Sequence, residues 1–342
     1  MIITPLFILF WISKNVTQNA VKTSDFISYY LGYKLLSNGE TKLFYDIETQ
    51  NKLFNQLVNF KSQEFLPFRT LPPILILFIF SNFLDYYTAY IVWTFVNLSI
   101  GVFVFCLISK QLKLNKLYSV FVFSSFYPLS DNFIRGQVIL VFLSILLLAF
   151  ILIKNKKVFL SGFASSFLIL RPRYLLFIPF LFLKLDRKID YAKGFILGIV
   201  LNLLITLRLI SFEGFLSYPK FLFNTETPTY GSFIDRYLSL YPLLMKFLFL
   251  CNQNLLIILA INFVLFTVTV LTFSLKVNKL SYEVVISIGI ISILLFGVHI
   301  NTHDLAILIY LLFVLLTKVS LKYKKVGFLL FLLLYFLSFF CF

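Results

Sequence analysis

Four short stretches carry the side chains that could do chemistry. In "KTSDFISYYLGYKLLSNGETKLFYD", residues 22–46, Asp25 stands near the head of a polar, aromatic segment in an otherwise oily chain. An acid there either favours the positive end of a helix or acts as a general base that takes a proton from a hydroxyl. Asp46 is the runner-up carboxylate, with a turn role as its alternative. "IRGQ" places Arg135, Gly136 and Gln137 where a loop enters an apolar block. Arg135 either snorkels to headgroups or binds a phosphate, with Gln137 hydrogen-bonding a polar substrate. "LILRPRYLLF" sets Arg171 and Arg173 on either side of a proline between two short apolar blocks. A charge near the bilayer core is costly and marks function by default, and a guanidinium fork suits phosphate better than a point charge does. The alternative is a turn with both arginines at the interface. "HINTHD" holds the two histidines of the chain, His299 and His303, and Asp304. Either these are polar residues at the end of a span, or His303 stands near the catalytic carboxylate.

Several chemistries find no support. The histidine pair lacks a third zinc ligand and the glutamate of an HExxH site, and a lone acid such as Asp25 is not the paired carboxylate site a divalent cation prefers. No metal ligands are therefore assigned, although a divalent ion is not excluded. The sequence has no phosphate-binding glycine loop, dinucleotide fingerprint or nucleophile elbow. Soluble nucleotide chemistry is not indicated, so an enzyme of this kind needs an activated donor already in the membrane.

The elements that must position these residues are membrane helices. Hydrophobic residues make up 60% of the 342 and charged residues only 13%, against about 45–50% and about 25% in soluble domains. The apolar residues come in blocks of about 17–25, the length that crosses a bilayer. The expected fold class is an all-α polytopic membrane protein of about ten to twelve spans. We place the spans at 1–13, 84–108, 115–131, 136–153, 157–170, 173–184, 191–210, 253–275, 281–298, 304–318 and 326–342. The short pair 157–170 and 173–184 reads as half-helices dipping toward a cavity, where non-helical backbone is tolerated. The block 72–82 is either interfacial or a further span. The first block, "MIITPLFILFWIS", lacks a basic n-region and a cleavage site, and reads as a short span rather than a signal peptide. No linker or repeat divides the chain, and 1–342 is treated as a single membrane domain.

The net charge of +16 does not point to nucleic acid, because the basic residues cluster in short loops between apolar blocks. Lys110, Lys113 and Lys116 form one cluster. Lys154, Lys156 and Lys157 form another, followed by Lys184, Arg187, Lys188 and Lys193. Lys276 and Lys279, then Lys318, Lys322, Lys324 and Lys325, complete the set. All fall on one side, which is therefore cytoplasmic; the opposite short loops hold only Arg135, Arg171 and Arg173. The long stretches 14–71 and 211–250 fall outside. Cys106, Cys251 and Cys341 lie in apolar stretches without metal spacing and read as core residues.

Within the first outer loop, Ser24 is expected to cap a helix that Gly39 ends. Phe26, Tyr29, Tyr30 and Tyr33 are expected in the headgroup zone. A second amphipathic stretch, 45–60, would complete a platform of two surface helices.

Taken in order, these stretches resemble glycosyltransferase family 87 of the GT-C superfamily. The family looks like D-F-x-x-Y-Y and then G-x-x-x-x-Y-D in the first outer loop, here "SDFISYYLGYKLLSNGETKLFYD". A Pro-Pro block follows, here "LPPILILFIF", and then "AYIVWTFVNL". A G-Q entry to a span is here "RGQVILVFLSILLLAF", and a Gly-bearing short helix ending in a basic residue and Pro is here "LSGFASSFLILRP". A His-Asp near the C-terminal end is here "HINTHDL". The resemblance implies a GT-C-like bundle in a bacterial plasma membrane with its site on the outer face. It implies transfer of a hexose, such as mannose, from a polyprenyl-phosphate-linked sugar donor to a lipid or glycan acceptor with inversion. By it Asp25 corresponds to the general base and His303 to an active-site histidine. Tyr29, Arg135, Gln137, Arg171, Arg173 and Asp304 would bind substrate. Arg171 falls where the family commonly has Lys. Two rival classes share the many spans and buried charges: a transporter or flippase, and a membrane polysaccharide polymerase or ligase. A transporter would often show an internal inverted repeat, and none is visible. A polymerase or ligase would carry its largest outer loop late in the chain, whereas here the longest comes first.

Overall fold

A computed structural model of the chain describes residues 24–57, 65–225, 255–298 and 300–318, with isolated positions at 230, 238–240 and 243–244. The expected spans 1–13 and 326–342 lie outside the described residues, as does His299. The described elements are all helical, and the chain is an all-α membrane protein. Among the described residues, three helices are long and apolar enough to cross a bilayer: Tyr86–Leu112, Lys188–Leu209 and Leu255–Ser274, the last through its Ile257–Ser274 part. Twenty-seven residues at about 1.5 Å each exceed the ~30 Å hydrocarbon core.

The shorter elements depart from simple spans for identifiable reasons. The stretch 115–131 divides into helices Lys116–Ser125 and Tyr127–Ile134. Phe126 is extended (φ −78°, ψ 98°) and Pro128 opens the second helix; proline is accepted in a first turn but not inside a helix. The block at 72–82 is a 3₁₀ helix, Pro72–Asn82, kinked at Phe78. At about 2.0 Å per residue it is too short to span. The half-helix pair is present. Val158–Ser166 continues as a 3₁₀ turn to Leu170, the chain reverses at Arg171, and Pro172–Phe177 leads into Ile178–Lys184. Arg171 is extended (φ −135°, ψ 90°), as a residue before proline must be. The Val158–Ser166 arm packs on Lys188–Leu209 at backbone contact: a Cβ on Gly162 would lie 2.0 Å from the Tyr191 carbonyl oxygen. Only glycine allows that approach.

The first outer segment corrects the surface-platform expectation. Its first helix is Phe26–Ser37, and Gly39 follows it with φ +78°, as the stop signal required. Ser24 is not its cap. Asp25 occupies that position without a side-chain bond to the helix, and Ser24 Oγ lies 3.0 Å from the Tyr86 hydroxyl. Phe26, Tyr29 and Tyr30 are buried in protein rather than set among headgroups. Tyr29 stacks on Phe78 with ring centroids 4.8 Å apart, and Phe26 contacts Tyr86 and Tyr90. The reason is that Pro72–Asn82 and Tyr86–Leu112 bring apolar rings against this helix from both sides, and aromatic pairing plus burial outweighs the interface. The second helix, Ile47–Leu57, does lie on the surface, burying only Gln50 and Phe54.

The helices also sort charge. Lys154, the last residue of helix Ile139–Lys154, bonds Glu283 at 2.7 Å at the start of Tyr282–Phe296, and lies 3.4 Å from Gln111. Lys184 Nζ donates to the carbonyls of Val277 and Asn278, both at 3.2 Å. Four basic loops thus gather at one end of the bundle. Gln137 just precedes the first of these helices and Gly297 follows the second, so both mark the opposite end.

Candidate active site

At that opposite end lies a cavity of about 480 Å³. Asp25, Gln137, Arg171, Arg173 and His303 line it, with Leu176, Leu222 and Phe296 on its apolar side. Four separate local structures deliver the polar groups.

Asp25 arrives at the head of helix Phe26–Ser37, anchored by the Phe26 amide donating to the Arg135 carbonyl at 3.1 Å. The turn that makes this contact is Arg135–Gly136. Gly136 has φ +65°, and a Cβ there would sit 2.7 Å from Phe26 Cβ. Its carbonyl accepts from the Trp93 indole at 2.7 Å. The glycine is therefore required twice, by conformation and by space.

Gln137 is the hub. Its Nε2 donates to Asp25 Oδ2 at 2.8 Å. Its Oε1 accepts from Arg171 at 3.1 Å and from the Tyr29 hydroxyl at 3.3 Å. Burial holds the Tyr29 phenol above its ordinary pKa, with Arg171 opposing, so the hydroxyl remains a donor. The Gln137 amide is committed to protein partners.

The arginine turn and the His-Asp turn face each other. Arg173 Nη2 donates a charged hydrogen bond to Asp304 Oδ1, while Arg171 Nη1 stands 3.8 Å from the same oxygen. Asp304 is buried, and its other oxygen accepts from the Asn301 amide at 2.9 Å in a capping box. It is held by both arginines and by the start of its own helix, which is how a buried carboxylate is tolerated. Arg171 Nη1 is buried and has no hydrogen-bond partner. His303 is buried, its Nδ1 3.9 Å from both Asp25 Oδ2 and Asp131 Oδ2.

Of the sequence-derived candidates, Asp25, Tyr29, Gln137, Arg171, Arg173 and His303 converge on the cavity. Asp304 sits behind the arginines. Arg135 does not reach the cavity lining; its Nε bonds Asp131 Oδ1 at 2.9 Å, one helical turn back. Asp46 is a helix cap, accepting from the Thr49 amide and hydroxyl, both at 2.8 Å. Two residues were missed. Arg69 lines the cavity and bonds the Thr225 carbonyl at 2.5 Å and that of Tyr230 at 2.7 Å. Its signal was a lone charge in the apolar run "FLPFRTLPPILILF". Asp131 packs beside His303, and its signal was the i, i+4 spacing to Arg135. Among the described residues no cluster of His, Cys, Asp and Glu could hold a metal ion.

Helices long enough to cross a bilayer, a re-entrant pair and a buried charged cavity at one end define a polytopic membrane protein built around a polar site. The model of glycosyltransferase family 87 matches residues 71–297, well over half of the chain, which therefore belongs to that family and is a membrane glycosyltransferase. No curated protein and no solved structure matches it. The matched stretch contains Gln137 and the arginine turn, while Asp25 and His303 lie on either side of it.

Proposed function

We propose that the protein transfers a hexose from a polyprenyl-phosphate-linked sugar to a lipid or glycan acceptor on the non-cytoplasmic face, with inversion at the anomeric carbon. The carrying observation is that the Asp25 carboxylate and the Arg171 guanidinium face one cavity and are tied together through the two ends of the Gln137 amide. A base and an anion-binding group are thereby held in one geometry.

In this reading the acceptor hydroxyl attacks the anomeric carbon while Asp25 takes its proton. The bond from that carbon to the phosphate oxygen breaks, and the polyprenyl phosphate leaves with the electron pair. Arg171 offsets the charge that grows on the leaving phosphate. Arg171 lines the cavity and is only loosely paired with Asp304, at 3.8 Å, whereas Arg173 hydrogen-bonds that carboxylate directly. The apolar side of the cavity suits the first isoprene units of the donor. The outer-face assignment is supported by the gathering of basic loops at the end remote from the cavity. Membership of the family replaces the reading as a transporter without transferase activity.

The test is sugar transfer from radiolabelled polyprenyl-phosphate mannose and polyprenyl-phosphate glucose in reconstituted membranes containing native lipids. Asp25→Asn keeps the shape and removes proton acceptance, and the rate should fall about 10²–10⁴-fold. Thermal stability should change by no more than about 0.3–1 kcal/mol. Asp46→Asn should transfer at a near-normal rate. Normal transfer by Asp25→Asn sinks the assignment.

A further inference from the structure

The network around His303 carries a consequence for the proton that Asp25 receives. A general base must lose its proton before the next turnover; Asp25 lines the cavity, and its Oδ2 accepts from Gln137 Nε2, which cannot take that proton. His303 Nδ1 is buried, has no hydrogen-bond partner and stands 3.9 Å from Asp25 Oδ2. On its other side, at the same 3.9 Å, is Asp131 Oδ2. Asp131 is itself buried and fixed by two neighbours. Its Oδ2 accepts from the Thr302 hydroxyl at 2.9 Å, and its Oδ1 accepts from Arg135 Nε at 2.9 Å. Thr302 is the residue next to His303, so Asp131 grips the turn that carries the imidazole. The His303 Nε2 edge faces Asp304 Oδ2 at 3.8 Å.

We propose that His303 receives the catalytic proton from Asp25, and that Asp131 is the positioning residue that holds the ring and stabilises its charged form. This rests on Asp25 being the base. The Asp25 O–H bond breaks and an Nδ1–H bond forms, giving a carboxylate and an imidazolium, with no change of net charge. The imidazolium is then faced by Asp25, Asp131 and Asp304, against the positive charge of Arg135. The 3.9 Å separation shortens to transfer distance when substrate closes the cavity, as catalytic contacts commonly do. Deprotonation of His303 to cavity water, from the face that lines it, completes the cycle.

The test is the pH profile of kcat in the same transfer assay. Asp131→Asn removes a negative neighbour from His303 and frees the positive Arg135. Each change disfavours the protonated form of the imidazole. The acid limb of the profile should move to lower pH, and kcat should fall at least about tenfold while the KM for the donor stays within about twofold. Asp131→Glu keeps the charge and should keep the limb in place. A merely structural role for Asp131 would lower the yield of folded protein without moving the limb, and that result overturns the proposal. Should Asp131→Asn fail to accumulate, His303→Gln decides: the relay predicts a comparable fall in kcat at unchanged KM, and wild-type kcat refutes it. If Asp25→Asn is inert while Asp131→Asn and His303→Gln behave as wild type, only the relay fails. If Asp25→Asn is fully active, the base assignment fails with it.

Discussion

The two ends of the bundle hold charge in opposite ways. At the basic end the pairs are simple and wet. Lys154 meets Glu283 and Arg187 meets Asp190, with the cationic side chains 36% and 66% exposed. At the cavity end the charges are shared and dry. Asp304, 2% exposed, is gripped by two arginines and a backbone amide, while Asp131 and His303 are 7% and 5% exposed. Exposed pairs contribute little to stability, about 0–1 kcal/mol, so the gathering of charge at the basic end is not explained by stability. Desolvated charges cost several kcal/mol each and are no route to stability. A chain with this much apolar surface has no structural need of them, and their concentration around one cavity is the mark of chemistry.

That contrast can be broken in steps, beginning with an all-or-none result. In a background lacking the native cysteines, Lys42→Cys and Lys157→Cys should label oppositely with an impermeant thiol reagent applied to intact cells, position 42 reacting and position 157 protected. Labelling of 157 alone would reverse the topology and put the cavity at the cytoplasmic end.

Next come the two arginines of one turn, which the structure gives different work. Arg171→Ala should reduce turnover about 10²–10³-fold, the usual loss when a group stabilising developing negative charge is removed. Arg171→Lys should retain part of the activity, since it keeps the charge and loses the fork. Arg173→Ala should act instead on folding, because it strips Asp304 of its strongest partner. Losing one member of a buried pair costs about 3–5 kcal/mol, readable as a lower melting temperature in detergent. Equal tolerance of alanine at both positions would return the turn to a plain interfacial loop. The smallest effect belongs to the basic end. Lys154→Ala should cost about 0–1 kcal/mol of stability and leave transfer rates as they are; a large loss of activity would mean that the two ends are coupled.

Much of the site was legible as candidate residues and little of it as a geometry. Asp25, Gln137, Arg171 and His303 stand out in the sequence because polar groups among apolar blocks are rare and costly. Arg135 stood out for the same reason, yet it turns back one helical turn to Asp131. A nearby carboxylate, invisible as a partner without the helix, engages the guanidinium there. The aromatic run Phe26, Tyr29, Tyr30 has the amphipathic look of an interface belt, and it is buried by the arrival of Phe78, Tyr86 and Tyr90.

By itself the sequence determined the membrane class, the sidedness of charge, the turn at Gly136 and the reversal at Arg171. Each of these follows from local physics: apolar length against bilayer thickness, charge placement, and the backbone limits of glycine and proline. The tertiary structure alone decided which charges meet. The hydrogen bond from Gln137 to Asp25 spans 112 positions and that from Arg173 to Asp304 spans 131. No local preference encodes such contacts, because they exist only where helix packing brings desolvated groups together and each must find a partner in the same small volume.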